Sequence, residues 1–329
     1  MKICIYGAGA MGGSVVGRLC RLEKERGLDL SVVARGAHLD AIRAAGLKVI
    51  EDDGSEHVFR IRATEDPAEL GRQDLVFVCL KAHQYPPAAQ GIASLLGPKT
   101  RVVCVLNGIP WWYFHASGGA FEGHQIALLD PGGALWSAVG PQRVIAAISY
   151  VGGAAVAPGV VHHTVGKRFV IGEPDGSQSE DLETVRDLLS ACGWDVRTTA
   201  RIRDEIWLKL LRNASQNPLS VATGATVTEM LEDPRAVAFT LAVMDEVRAV
   251  GEAVGVRFPI SNAAQLEDSR GLGNIKTSML QDYESGRPLE LDALVAAVEQ
   301  IARTVAIPTP NLSALFSIVA QKAALKGLY

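Results

Sequence analysis

Lys2 to Tyr6 is a short apolar run that passes directly into Gly7-Ala8-Gly9-Ala10-Met11-Gly12. A strand, a G-x-G-x-x-G turn and a helix over Ala10 to Arg26 make the opening of a dinucleotide-binding βαβ unit. Gly7 permits the tight turn, Gly9 lets a pyrophosphate approach the backbone, and Gly12 allows close packing of helix on strand. The helix start supplies free amides and a partial positive charge. Gly7, Ala8, Gly9, Ala10, Met11 and Gly12 are therefore the expected cofactor cradle. The second strand ends Val32-Val33-Ala34-Arg35, with no Asp or Glu to take a ribose 2′-hydroxyl. Arg35 can pair with a 2′-phosphate through its planar fork, which favours NADP over NAD. An ordinary surface arginine is the plainer account of the same residue.

The first half alternates strand-like and helix-like segments. Leu75 to Leu80 and Val102 to Leu106 are near-continuous apolar runs, as parallel strands covered on both faces require. A helical segment over about Pro87 to Leu96 lies between them. This alternation predicts an α/β Rossmann-type N-terminal domain. Asn107 to Pro141 reads as a long irregular connection carrying Trp111-Trp112-Tyr113-Phe114. From Arg203 onward apolar residues recur at helical spacing, predicting an all-α C-terminal domain. The chain has 329 residues, enough for two domains of about 150. The expected division is residues 1–200, with an insertion over about 109–141, and residues 201–329.

Lys plus Arg is 32 and Asp plus Glu is 36, so the net charge is −4. That argues against a partner bound by phosphate neutralisation, and no nucleic-acid partner is expected. Five cysteines stand far apart with no Cys/His ligand spacing, which argues against zinc and for reduced thiols. No metal is expected. Val144 to Gly166 lacks Asp, Glu, Lys and Arg, but Gly152-Gly153 and Pro158-Gly159 divide it into two strands rather than a membrane helix. No secretory leader is read, so a cytoplasmic chain with no membrane partner is the expectation.

Lys209, Asn213 and Asn217 recur every four residues on a helix that Pro218 is expected to end. Successive members turn about 40° around the axis, so they share one face. A polar line on an otherwise apolar helix suits a site; a solvated stripe with a snorkelling Lys fits as well. Further on, Ser278 and Asp282 are one helical turn apart, and Gly286 to Pro288 stops one helix before another starts. Glu290 falls in the first turn of that next helix, where a carboxylate is favourable on its own account. Asp282 reads best as a cap or a structural ion pair.

Taken together these pieces resemble the ketopantoate reductase (2-dehydropantoate 2-reductase) family. They are the glycine loop, Lys81-Ala82-His83-Gln84, Leu106-Asn107-Gly108, Trp207-Leu208-Lys209 with Asn213 and Asn217, and the Ser278 to Glu290 run. They occur in the family's order along nearly the whole chain. The resemblance implies NADPH-dependent reduction of 2-dehydropantoate, a small 2-oxo acid, to pantoate. It implies Lys209 as general acid, with Glu290 binding substrate and orienting it. It implies Asn213, Asn217 and Ser278 on the substrate, Asn107 at the nicotinamide ribose or the reacting carbonyl, and Lys81 and Gln84 along the adenosine half. The connection after Gly108 is longer than the family usually has, and its four aromatics are expected mostly to pack it down. Val295-Ala296 stands where the family typically has Asn-Gly. Another 2-oxo acid as substrate, a β-hydroxyacid dehydrogenase and a silent NADPH-binding sensor are the alternatives. All-helical domains of this size often dimerise, so a homodimer is the expected assembly, although no exposed heptad marks an interface.

Overall fold

The computed structural model describes residues 1–329, apart from the side chain of Leu272. It divides into two compact units, Met1–Leu106 with Trp111–Ile202, and Asn107–Pro110 with Arg203–Tyr329. The short segment after the Leu96–Val105 strand thus belongs with the helical part of the chain.

The first unit contains β1 (Lys2–Tyr6), α1 (Ala10–Arg26), β2 (Asp29–Val33), α2 (Gly36–Ala45), β3 (Leu47–Ile50), β4 (Glu56–Phe59) and β5 (Arg62–Thr64). It continues with β6 (Gln73–Val78), α3 (Tyr85–Ser94), β7 (Leu96–Val105), α4 (Ala134–Ala138), β8 (Val144–Ala157), β9 (Val160–Gly172), α5 (Glu180–Ala191) and β10 (Asp195–Thr198). The strands form one sheet in the order β4-β3-β9-β8-β7-β6-β1-β2-β5, with β10 paired to β9. β7, β6, β1, β2 and β5 run parallel, as the apolar runs require, and β8 continues them. β9 returns antiparallel to β8, and β4 antiparallel to β3, so the sheet is mixed rather than purely parallel. The uncharged Val144 to Gly166 stretch is the β8–β9 hairpin, turned at Pro158 and Gly159. Among the described residues no helix is long and apolar enough to cross a membrane.

Sequence reasoning missed β3, β4 and β5. The pair LKVI and EHVF around Asp53-Gly54 carried the hairpin signal. Gly54 adopts a φ of +81°, and the Glu51 N–H donates to the Ser55 carbonyl at 2.9 Å. The connection after Asn107 is also better ordered than its composition suggests. Trp111, Trp112, Tyr113 and Phe114 are all buried. Buried Asp130 caps α4, accepting from the Leu135 and Trp136 N–H groups at 2.9 Å each.

The second unit is helical: α6 (Ile202–Thr223), α7 (Val227–Glu232), α8 (Pro234–Ala253), α9 (Asn262–Glu267), α10 (Ser278–Glu284), a π-turn (Asp292–Ala296) leading into α11 (Ala297–Thr304), and α12 (Pro310–Ala324). Pro218 does not end its helix as expected; α6 runs five residues past it, to Thr223. A proline inside a helix costs about 3 kcal/mol. Leu219, Ser220 and Val221, just beyond it, are buried, and that packing outweighs the lost hydrogen bond.

Candidate active site

The glycine loop has the geometry its spacing calls for. Gly7 sits at φ +98°, and a Cβ there would lie 2.8 Å from Leu80 Cδ2 and 2.9 Å from the Cys79 carbonyl oxygen. A Cβ on Gly12 would lie 1.8 Å from the Gly7 carbonyl oxygen. Gly9 differs: a Cβ there would meet nothing within 4 Å. Gly9 is also the N-cap of α1, with no side chain closing the helix end. The loop therefore presents open space in front of uncapped amides, which suits a pyrophosphate. Two further glycines bring α1 onto the sheet. A Cβ on Gly13 would lie 2.5 Å from Val161 on β9, and one on Gly17 would lie 2.9 Å from Val49 on β3.

Arg35 is exposed and is the N-cap residue of α2, two residues beyond the end of β2. Lys81 precedes a single 3-10 turn, and its N–H donates to the Gln84 carboxamide oxygen at 3.0 Å. Gln84 thus has a structural task in shaping this turn. Sequence reasoning passed over His38. Its Nε2 lies 2.8 Å from the Ala8 carbonyl oxygen, and the Gly159 N–H donates to its Nδ1 at 3.0 Å. No local pattern marks that residue, because both partners are distant in sequence.

In the second unit, α6 carries Lys209, Asn213 and Asn217 in line. Lys209 and Asn213 are half-buried and Asn217 is buried. The Asn217 backbone carbonyl accepts from the Ser220 hydroxyl at 2.7 Å. Burial pushes the Lys209 ammonium down from 10.5 to about 8; Arg212 pushes the same way and Glu290 opposes them. Glu290 is half-buried and sits at the entry to the π-turn that leads into α11, its carbonyl accepting from the Leu294 N–H at 3.2 Å.

Three contacts hold that entry. The Arg287 Nε donates to Asp282 Oδ1 at 2.8 Å, so Asp282 is the structural ion pair its position suggested. The Leu289 N–H donates to the Leu328 carbonyl at 3.0 Å, and the Tyr329 hydroxyl donates to Asp292 at 2.6 Å. The π-turn then offers the Ala293 carbonyl to the Ile109 N–H at 2.9 Å. Gly108, at φ +83°, presses so close that a Cβ would lie 2.4 Å from the same oxygen. Asn107 is thereby docked beside the segment that follows Glu290. π-turns of this kind recur at functional sites, and nothing in the apolar spacing announced this one. Val295 and Ala296 are buried inside it.

Ser278 opens α10 and is exposed. Its neighbour Thr277 caps the helix, and the Thr277 and Ser220 hydroxyls lie 2.6 Å apart, tying the start of α10 to α6. The thiols offer little chemistry: burial pushes Cys4, Cys20, Cys79 and Cys192 up to about 12. Among the described residues no group of three or more His, Cys, Asp or Glu is placed to hold a metal ion.

Known proteins resemble this chain over its whole length. Residues 3–176 match the family model described as ketopantoate reductase PanE/ApbA, and residues 201–323 match its C-terminal counterpart. A 2-dehydropantoate 2-reductase of Mesorhizobium japonicum is 46% identical over 329 residues, covering 100% of both chains. Among solved structures, a Ralstonia solanacearum chain assigned as a ketopantoate reductase superposes with a TM-score of 0.94 at 41% identity, covering 100% of this chain and 99% of that one. The 2-dehydropantoate 2-reductase of Geobacter metallireducens superposes with a TM-score of 0.84 at 25% identity, covering 98% and 100%. The chain belongs to the ketopantoate reductase family.

Proposed function

We propose that this chain reduces 2-dehydropantoate to pantoate with NADPH. The observation that carries the reading is Lys209: a half-buried lysine brought down to about 8, in line on one helix face with Asn213 and Asn217. A cationic acid of that strength donates a proton near neutral pH far more readily than an ordinary lysine.

The glycine loop fits a dinucleotide, because Gly9 leaves open space before the uncapped start of α1. Gly7 to Gly12 would hold the pyrophosphate. Arg35 would take the 2′-phosphate, the reason for preferring NADPH to NADH. Lys81 and Gln84 would line the adenosine half. When bound, the reduced nicotinamide supplies the hydride that adds to the substrate's C2 carbonyl carbon.

The chain's own groups do the rest. Lys209 Nζ gives its proton to the carbonyl oxygen as negative charge develops there, and the ammonium becomes an amine. Glu290 orients Lys209 and keeps it protonated by charge. Asn213, Asn217 and Ser278 hold the substrate's hydroxyl and carboxylate, and Asn107 supports the reacting carbonyl or the nicotinamide ribose. The reading extends to a cytoplasmic enzyme working as a homodimer, the second part of which sedimentation analysis checks.

The test is NADPH oxidation by the purified chain with 2-dehydropantoate, beside Lys209→Ala. Turnover that falls by about 10² or more in the variant supports the assignment. Turnover that survives the substitution removes Lys209 as the acid.

A further inference from the structure

We infer that His38 is a positioning residue for the glycine loop, holding the Ala8–Gly9 peptide in the one orientation that receives a pyrophosphate. The inference rests on the reading of that loop as a nicotinamide dinucleotide site.

The tautomer follows from the partners. The Gly159 N–H can only donate, so Nδ1 of His38 accepts from it at 3.0 Å. The ring proton of the neutral imidazole is then on Nε2, which donates to the Ala8 carbonyl at 2.8 Å. The anchor on the far side is firm. Gly159 sits at φ +72°, where a Cβ would lie 2.8 Å from Ala41 Cβ on α2. Its carbonyl also accepts from the Lys48 N–H on β3 at 2.8 Å.

A trans peptide is planar, so its C=O and the following N–H point in opposite directions. Holding the Ala8 carbonyl therefore fixes the direction of the Gly9 N–H. The peptide joins Ala8 to Gly9, and a glycine makes rotation of an adjoining peptide plane easy. A rotated plane would turn a carbonyl oxygen toward the phosphate. His38 prevents this from α2, the helix that Arg35 precedes as N-cap residue, so the two ends of the dinucleotide site are tied to one element.

The experiment measures dissociation constants for NADPH and NADH, and thermal midpoints without ligand, on the full chain and its variants. His38→Phe keeps a ring without the hydrogen bonds; His38→Ala replaces it if the larger ring does not fold. Either should weaken NADPH and NADH by the same factor, about tenfold. His38→Gln, whose carboxamide offers a donor and an acceptor at similar spacing, should recover most of that loss. Arg35→Ala should weaken NADPH alone. A lowered midpoint with both dissociation constants unchanged makes His38 merely structural and overturns the inference. A loss confined to NADPH overturns it too, because His38 would then act through the 2′-phosphate end. If the wild-type chain binds neither nucleotide, the dinucleotide reading falls and takes this inference with it.

Discussion

A Cβ atom on Gly12 would lie 1.8 Å from the carbonyl oxygen of Gly7, so the first turn of α1 rests directly on the strand end that precedes it. Gly12→Ala must push backbone against backbone, whereas Gly9→Ala adds its methyl to empty space at an ordinary φ of −66°. Gly12→Ala is expected to lower the thermal midpoint by several degrees and to abolish NADPH binding. Gly9→Ala should keep the wild-type midpoint yet bind NADPH at least about tenfold more weakly, since the methyl stands where the pyrophosphate must approach. Calorimetry for folding and a binding titration for the nucleotide separate the two.

Lys209 acts as an acid only while protonated, and its ammonium titrates near 8. kcat/KM for reduction should be flat below that pH and fall about tenfold per unit above it. Glu290 holds the Lys209 value up, so Glu290→Gln should move the alkaline limb to lower pH. Arg212 holds it down, so Arg212→Gln should move the limb to higher pH. A pH–rate series on the three proteins checks both signs.

The same lysine works against the fold. Its folded value, about 8, is below the 10.5 of an ordinary lysine, so between those values the unfolded chain holds more protons than the folded one. The Lys209 contribution to stability therefore rises as pH increases across that interval. Lys209→Met should abolish reduction while leaving the midpoint at pH 7 equal to or above that of the wild type, since a similar volume is kept and a buried cation beside Arg212 is removed. A midpoint several degrees lower would mean that the ammonium supports the fold through its contacts.

Arg287 pairs with a largely buried Asp282 across the turn that delivers Glu290. The arginine is half-exposed, so solvent screens the attraction, and the main penalty of Arg287→Ala is the loss of one charge-assisted hydrogen bond. A loss of about 1 kcal/mol is expected. Because Leu289 and Glu290 follow at once, KM for the 2-oxo acid should rise more than the dissociation constant for NADPH. Steady-state kinetics beside a nucleotide titration tests that split.

Local chemistry was enough for the glycine loop, the parallel apolar strands and the line of Lys209, Asn213 and Asn217, since each depends on spacing within one strand–turn–helix or one helix. The Ser278 to Glu290 run was legible for the same reason, and Asp282 finds its partner only five residues away. Other features needed distant partners. Pro218 stays inside α6 because buried neighbours outweigh a local penalty. The lowered pKa of Lys209 comes from burial and from Arg212, against the opposing pull of Glu290 81 positions away. The π-turn that docks Gly108, and the imidazole of His38 between Ala8 and Gly159, join segments that no periodicity connects. Residue type and spacing determined which groups this chain brings to the chemistry. Tertiary packing alone decided their protonation and orientation, because desolvation and hydrogen-bond direction depend on neighbours that the linear order does not place together.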